Sequence, residues 1–197
     1  MNPVVYQRVE VSALSLDPAE VARRLQSARG YADTTTRACQ ARLEAVLDPK
    51  YSGIRVPVRH IREDVLDLGF GEVHSHALFR NLDGAEEAFI FAATLGVGTD
   101  RLLARLALVS PAEHFITDAL ASAYAEALAE HADEALCGAL GGRARFSPGY
   151  GDLSLEVQPH ILQMVEGMRL LGITLGKSLL MSPMKSVTAI RGIQKQV

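Results

Sequence analysis

The chain has 197 residues, of which 48% are hydrophobic and 22% charged, and its formal net charge is −3. This composition is that of a soluble globular protein, and the length suits one domain with a sizeable core. The slight negative charge, without a run of basic residues, argues against nucleic acid or an anionic membrane surface as a partner. We expect a cytoplasmic protein, because neither a secretory signal nor a membrane-spanning stretch is recognisable.

The two cysteines, Cys39 and Cys137, are isolated in the sequence. They provide neither a disulfide framework nor the ligand spacing of a thiolate metal site. We expect both to be reduced, buried thiols.

The first fifty residues predict one strand and two helices. Valines alternate with polar residues within 1–10, which favours a short strand. Asp17-Pro18 is typical of a helix start, with the Asp as N-cap and the Pro at the first helical position, and predicts a helix over 17–28 that stops at Gly30. A second helix, capped by Asp33 or Thr34, is predicted to run to Leu47.

Four further segments predict strands. Two short strands lie between Ile54 and Leu68, and Pro57 places the first of them at a sheet edge because proline cannot donate to a ladder. Residues 88–95 form the most apolar short run and predict a central strand. Residues 177–181 and 186–193 predict the last two strands.

Gly96-Val97-Gly98 leads from the central strand into a helix predicted over 101–108. A Gly-x-Gly turn between strand and helix resembles the start of a dinucleotide-binding fingerprint, but Arg101 occupies the third glycine position. We favour glycines needed for turn geometry. An anion at this helix N-terminus is the alternative.

Ser110-Pro111-Ala112-Glu113 predicts a capping box at the start of a long, Ala-rich helix that runs to about Leu136. Acidic residues on this helix, Glu126, Glu130 and Asp133, are interpreted as solvated.

The elements together predict an α+β fold in which residues 1–197 form a single domain, a mostly antiparallel sheet packed with helices.

His74-Ser75-His76 places two imidazoles at positions i and i+2, which share a face of a strand and could bind a metal. A zinc site needs three or four ligands, and no Cys or third His lies nearby in sequence. We interpret both histidines as surface or supporting groups, with the metal site as the alternative.

The most informative stretch is Arg145-Phe146-Ser147-Pro148-Gly149-Tyr150. Residues 142–146 alternate like a strand, and Pro-Gly then predicts a type II turn with a positive φ at the glycine. The pattern delivers a guanidinium, backbone N–H groups and a phenol ring to one corner. Arginine binds carboxylates through two parallel hydrogen bonds, and an aromatic face attracts cations, so the corner suits a small zwitterion. From this motif alone, an ordinary turn closed by a stacked tyrosine is the favoured interpretation.

Arg145-x-x-Pro148-Gly149-Tyr150 resembles the S-adenosylmethionine-binding signature of the activation (reactivation) domain of cobalamin-dependent methionine synthase. Further features of that family follow in the same order, a Gly-x-x-Leu-x-x-Ser segment, a Met and Pro pair and a Ser-Val strand. Here they are Gly172, Leu175, Ser178, Met181, Pro183 and Ser186-Val187. The chain is identified as a suspected free-standing relative of that domain.

The resemblance implies that Arg145 holds the methionine carboxylate of S-adenosylmethionine and that Ser147, Gly149 and Tyr150 line the site. It implies a methyltransferase component: oxidised cobalamin, carried by cobalamin-binding methionine synthase modules, is reduced by one electron and trapped by methylation. A reductant such as flavodoxin or ferredoxin would supply the electron. No acid–base or nucleophile motif is present, and methyl transfer from an activated sulfonium needs chiefly positioning.

Three features depart from the family pattern. An Asp-Trp segment that meets the adenosine has no counterpart, and Ile190-Arg191-Gly192 replaces an aromatic cluster that includes a tyrosine. The family's cobalamin-binding Asp-x-His-x-x-Gly pattern is also missing, so the corrinoid must come from a separate protein. The alignment places Ser122 where the family has a donor-binding glutamate, with Glu126 one turn further on.

A non-catalytic module that binds S-adenosylmethionine or docks on a corrinoid protein is the second hypothesis, and a nucleotide-dependent enzyme is the third.

Overall fold

The computed structural model describes residues 2–25 and 34–194. The helices within these ranges are α1 (Pro18–Arg24), α2 (Thr34–Glu44), α3 (His76–Asn81), α4 (Val97–Val109), α5 (Pro111–Cys137) and α6 (Gln158–Met164). The strands are β1 (Val5–Arg8), β2 (Lys50–Pro57), β3 (Arg59–Arg62), β4 (Val65–Asp67), β5 (Glu72–His74), β6 (Glu87–Thr94), β7 (Thr174–Leu175), β8 (Met181–Ser182) and β9 (Ser186–Ile193). The predicted α+β fold with a mostly antiparallel sheet is confirmed.

A four-stranded antiparallel sheet in the order β1-β2-β6-β9 forms the centre of the fold. On one face of this sheet, the helices α1, α2 and α5 form a layer that covers Tyr51, Phe91 and Ala93. The other face, which carries Ile90 and Ile190, packs against the smaller sheet β3-β4-β5 and α6. Because both faces of the central strand are buried, its sequence is continuously apolar and does not alternate.

The long helix α5 packs on several sides at once. It contacts α1, α2, α4 and the strands β6 and β9. The alanines among its buried residues let neighbouring backbones come close, which a helix with one apolar stripe would not need. This helix therefore joins the second layer to the sheet and, as described below, supplies one wall of a cleft.

Two local predictions are wrong for identifiable reasons, and a third holds for only part of a strand. Strand β2 lies between β1 and β6, but β1 pairs only with residues 50–53, so the segment from Ile54 to Pro57 pairs with β6 alone. Of the strand predicted over 177–181, only Met181 lies in a strand, because residues 177–180 belong to the turn between the two-residue strands β7 and β8. Ser110 makes no side-chain cap. Its N–H donates to the Leu106 carbonyl at the end of α4, and Glu113 binds Arg42 on α2 at 2.9 Å.

The predicted helix over 17–28 is described as far as Leu25, where the chain caps α1, and Asp17 caps its start as expected. The predicted stop at Gly30 and the Asp33 cap lie outside the described residues. No helix in residues 2–25 and 34–194 is long and apolar enough to cross a bilayer.

The turn at Gly96-Val97-Gly98 is explained by packing. Gly96 is the N-cap of α4 with φ of 83°, and a Cβ on Gly98 would lie 2.3 Å from the carbonyl oxygen of Val46. The start of α4 thus lies in close contact with the chain that follows α2. Both glycines allow this close approach, which agrees with the interpretation that they are needed for turn geometry.

Gly98→Ala is expected to lower the free energy of unfolding by ~1–3 kcal/mol, the scale of overpacking, although alanine is the better helix former. Chemical denaturation measures the change. Gly176→Ala is the matched control, because its Cβ would meet nothing closer than 3.8 Å. Equal stability of the two variants would show that α4 does not depend on this approach.

Candidate functional site

A cleft of about 550 Å³ opens between helix α5, the 144–150 segment and the strands β8 and β9. Its polar lining residues below the mouth come from four separate parts of the chain. They are Glu126, Arg145, Ser147, Gln158, Ser186 and Thr188. Of the residues proposed from the sequence, Arg145, Ser147 and Tyr150 line this cleft.

The corner at Pro148-Gly149 is a type II turn, as predicted. The Ser147 carbonyl accepts a hydrogen bond from the Tyr150 N–H at 3.2 Å, and Gly149 has a φ of 89°. The Gly149 N–H donates to the Leu153 carbonyl at 2.8 Å. Gly149 thus shapes the turn and is not among the residues that line the cleft. Tyr150 is left exposed at the cleft mouth.

The strand predicted over 142–146 is reduced to two bridges against β9. Phe146 and Ile190 exchange backbone hydrogen bonds of 2.8 Å, and Gly141 bridges Ile193. The residues between the two bridges do not pair in register with β9. Arg145 therefore directly precedes Phe146, which is hydrogen-bonded to β9 at the edge of the main sheet.

The Arg145 guanidinium makes an ion pair with Glu126 on α5 inside the cleft. The arginine side chain is 19% exposed and the glutamate side chain 44%. The interpretation of Glu126 as a solvated surface residue is therefore wrong, because a partly buried cation across the cleft engages it. The pair places one positive and one negative group on opposite walls of a cleft that solvent reaches.

The floor of the cleft is a hydrogen-bonded network that the sequence did not reveal. Thr188 on β9 donates to Gln158 Oε1 at 2.7 Å, and Gln158 Nε2 donates to the Leu179 carbonyl at 2.9 Å. Both side chains are buried. The Thr188 hydroxyl and the Gln158 carbonyl oxygen satisfy each other, and the Leu179 carbonyl satisfies the Gln158 amide N–H, so the network joins β9 to α6 below the cleft. The only sequence signal was the Ser186-Val187 strand of the family resemblance, which Thr188 continues.

Ser122 lies one turn before Glu126 on α5 and contacts Lys185. The Lys185 ammonium lies 2.9 Å from Ser122 Oγ and 2.7 Å from an Asp118 carboxylate oxygen. The position that carries a donor-binding glutamate in methionine synthase thus takes part here in anchoring the residue before β9. On this helix it is Glu126 that faces the cleft.

The two histidines lie in different elements and have different carboxylate neighbours. His74 ends β5 beside Glu72, whereas His76 starts α3 with its Nδ1 2.7 Å from an Asp64 oxygen. No group of three or more possible ligands among the described residues could hold a metal ion. Ser75, between them, is the N-cap of α3, so the chain changes direction and the two rings do not share a face.

A second buried cluster occupies the far end of β9. Arg191 pairs with Asp133 on α5 at 2.7 Å, and both side chains are largely buried, so Asp133 is also wrongly interpreted as solvated. Burial and the neighbouring Asp133 raise the pKa of the Cys137 thiol to about 12. At the place of the family's aromatic cluster, this chain therefore has Arg191, which forms an ion pair with Asp133 on α5.

The fold and the cleft define an α+β protein with a ligand-sized cleft between a long helix and the last strand of an antiparallel sheet. No protein-family model matches the sequence, and no curated protein is detectably similar to it. Among solved structures, the chain is similar to the crystal structure of the MetH reactivation domain bound to AdoHcy, with a TM-score of 0.73 and 17% identity. The match covers 100% of this chain and 80% of that one. The fold expected from the sequence resemblance is confirmed.

In a Cys39→Ser variant, Cys137 is expected to resist iodoacetamide at about pH 8, because a thiol with a pKa of about 12 is almost wholly protonated there. Mass spectrometry of the alkylated protein, with and without denaturant, measures this. Unfolding exposes the thiol and should make labelling complete. Stoichiometric labelling of the folded protein would contradict the assignment of Cys137 as an inert, structural thiol.

Proposed function

We propose that this chain is an S-adenosylmethionine-binding reactivation component for a cobalamin-dependent methionine synthase, and that it supports reductive methylation of oxidised cobalamin held by a partner protein. The observation that carries the proposal is Arg145, brought by the Pro148-Gly149 corner into an open cleft. The same fold in the MetH reactivation domain binds AdoHcy, the product that remains when S-adenosylmethionine gives up its methyl group.

The cleft complements the amino-acid end of such a donor. A guanidinium binds a carboxylate with two parallel hydrogen bonds, and Glu126, across from Arg145, supplies the negative group that an ammonium needs. Ser147 and Tyr150 provide polar and aromatic contacts at the same corner. A zwitterion therefore meets charges of both signs within one cleft.

The adenosine end has room beyond Glu126. A second groove of about 430 Å³ lies between α1 and α5 and shares Glu126 with the cleft. Ser15 and Asp17 from the chain before α1 line it. An early segment of the chain thus borders the site although it lacks the Asp-Trp pair of methionine synthase, and it offers hydroxyl and carboxylate groups to a ribose.

The sulfonium of a bound donor supplies an already activated methyl group, so this chain needs no acid, base or nucleophile of its own. Arg145 and Glu126 would orient the amino-acid end, and the turn at Pro148-Gly149 would fix that orientation relative to β9. The cleft mouth beside the exposed Tyr150 is where the methyl acceptor, cobalamin on another protein, would approach. Catalysis then consists of holding donor and acceptor in line.

A binding module without methyl transfer is the second candidate. Arg191 stands in the segment that replaces the family's aromatic cluster, and its guanidinium is engaged by Asp133. This end of β9 therefore offers the donor no aromatic ring. Such a site could sense or deliver the ligand without enclosing it for reaction.

Arg145→Ala is expected to weaken binding of S-adenosylhomocysteine by ~1.5–3 kcal/mol, roughly 10- to 150-fold in Kd, because a charge-assisted pair with the carboxylate is lost. Titration calorimetry measures the Kd. Binding of 5′-methylthioadenosine, which lacks the amino-acid group, should be unaffected. Arg169→Ala, at an exposed arginine outside the cleft lining, is the control. An unchanged Kd for S-adenosylhomocysteine would remove Arg145 from the site.

Adding the chain to an oxidised corrinoid protein, together with a low-potential reductant and S-adenosylmethionine, is expected to produce methylcobalamin. The absorbance spectrum follows the product. Omitting the chain, or using Arg145→Ala, should leave the corrinoid unmethylated. Tight donor binding without methylcobalamin would favour the binding module over the reactivation component.

A further inference from the structure

Asp152, two residues after Tyr150, makes an unusually complete set of contacts for an exposed carboxylate. One oxygen accepts from Ser75 Oγ at 2.5 Å and from the Ala77 N–H at 3.1 Å, and the other accepts from the His76 N–H at 2.8 Å. These donors belong to the start of α3, where backbone N–H groups have no partner within the helix. The hydrogen bonds from Ser75, Ala77 and His76 lower the pKa of Asp152, so its charge is retained at neutral pH.

The opposite end of α3 holds the chain just before Arg145. Asn81 Nδ2 donates to the Ala144 carbonyl at 3.1 Å, and the Arg143 guanidinium donates to the Arg80 carbonyl. The segment 144–152, which contains the whole corner, is therefore attached at both ends to one six-residue helix.

The corner also packs closely against the side of α3. Gly151 has a φ of 55°, and a Cβ on it would lie 3.0 Å from the Ala77 Cβ. Helix α3 is in turn fixed to the smaller sheet, because the Ser75 N–H donates to the Asp64 carbonyl at 3.0 Å and Leu78 is fully buried. The corner thus rests on a rigid support that lies outside the cleft.

We propose that Asp152 is a positioning residue for the donor site: by capping α3 it locks the 145–151 segment, so that Arg145 and Tyr150 enter the cleft already ordered. The ligand part of this inference rests on the proposed function. A preordered corner does not lose conformational freedom when the donor binds, which strengthens binding without a contact to the donor. Asp152 is not among the cleft-lining residues, so its effect on affinity must pass through the corner.

The test compares Asp152→Ala with Glu156→Gln, which alters an exposed carboxylate in the 3-10 helix that follows, one whose side chain makes no hydrogen bond or ion pair among the described residues. Amide hydrogen exchange by NMR reports on the N–H groups of Gly149, Tyr150 and Leu153. We expect Asp152→Ala to accelerate their exchange about tenfold or more while amides of β2 and β6 stay protected. We expect the Kd of S-adenosylhomocysteine to rise about tenfold. Glu156→Gln should change neither quantity.

A second variant, Ser75→Ala, removes one donor to the same carboxylate and should give a smaller acceleration at the same amides. Unchanged local exchange in Asp152→Ala would overturn the proposal, and so would faster exchange throughout the protein, which indicates loss of global stability. An unchanged Kd despite local loosening would overturn the positioning role. If the unaltered protein binds no donor, the proposed function fails, and the exchange data still decide whether Asp152 locks the segment.

Discussion

Two hydrogen bonds between Phe146 and Ile190 connect the candidate site to the fold. They attach the chain that follows α5 to the open edge of β9, one residue after Arg145 and two residues before the turn. Because β9 pairs along its whole length with β6, an interior and mostly buried strand, this attachment ties the guanidinium to the core. Together with the hydrogen bonds to α3, it fixes the turn relative to the cleft floor at Gln158 and Thr188.

The pair of Arg145 and Glu126 explains how such a site can hold a cation that is only 19% exposed. A partly desolvated guanidinium without a counterion would be costly, since much of its hydration is lost. Glu126 supplies the counterion from the opposite wall, and its own side chain stays 44% exposed. Exchanging this carboxylate for that of a ligand leaves the arginine paired throughout, and water can then solvate Glu126 or a ligand ammonium can pair with it. The exchange is therefore much less costly than breaking a fully buried pair.

Local signals in the sequence predicted the fold well. The apolar run of β6, the Asp17-Pro18 start of α1 and the Pro148-Gly149 turn each depend on neighbouring residues alone, and each is observed. What the sequence did not reveal are partners distant along the chain. Glu126 and Asp133 read as solvated because Arg145 and Arg191 lie 19 and 58 residues away. The capping box predicted at Ser110 is likewise not formed, and its glutamate binds Arg42 on another helix.

Three of the ion pairs that α5 makes join it to the chain around the cleft. Asp118 and Asp133 bind Lys185 and Arg191, which lie just before and near the end of β9, whereas Glu126, between them, binds a residue that leaves the strand edge. The outer pairs tie the helix to the last strand, and the middle one spans the cleft. A chain that shares 17% identity with the MetH reactivation domain can keep that fold because the attachments at both ends are made by its own residues. Under the proposed function, the donor would be held at the middle of the helix, where Arg145 comes from the corner that Asp152 supports. Its affinity would then depend both on the Arg145 guanidinium and on how firmly the corner is held.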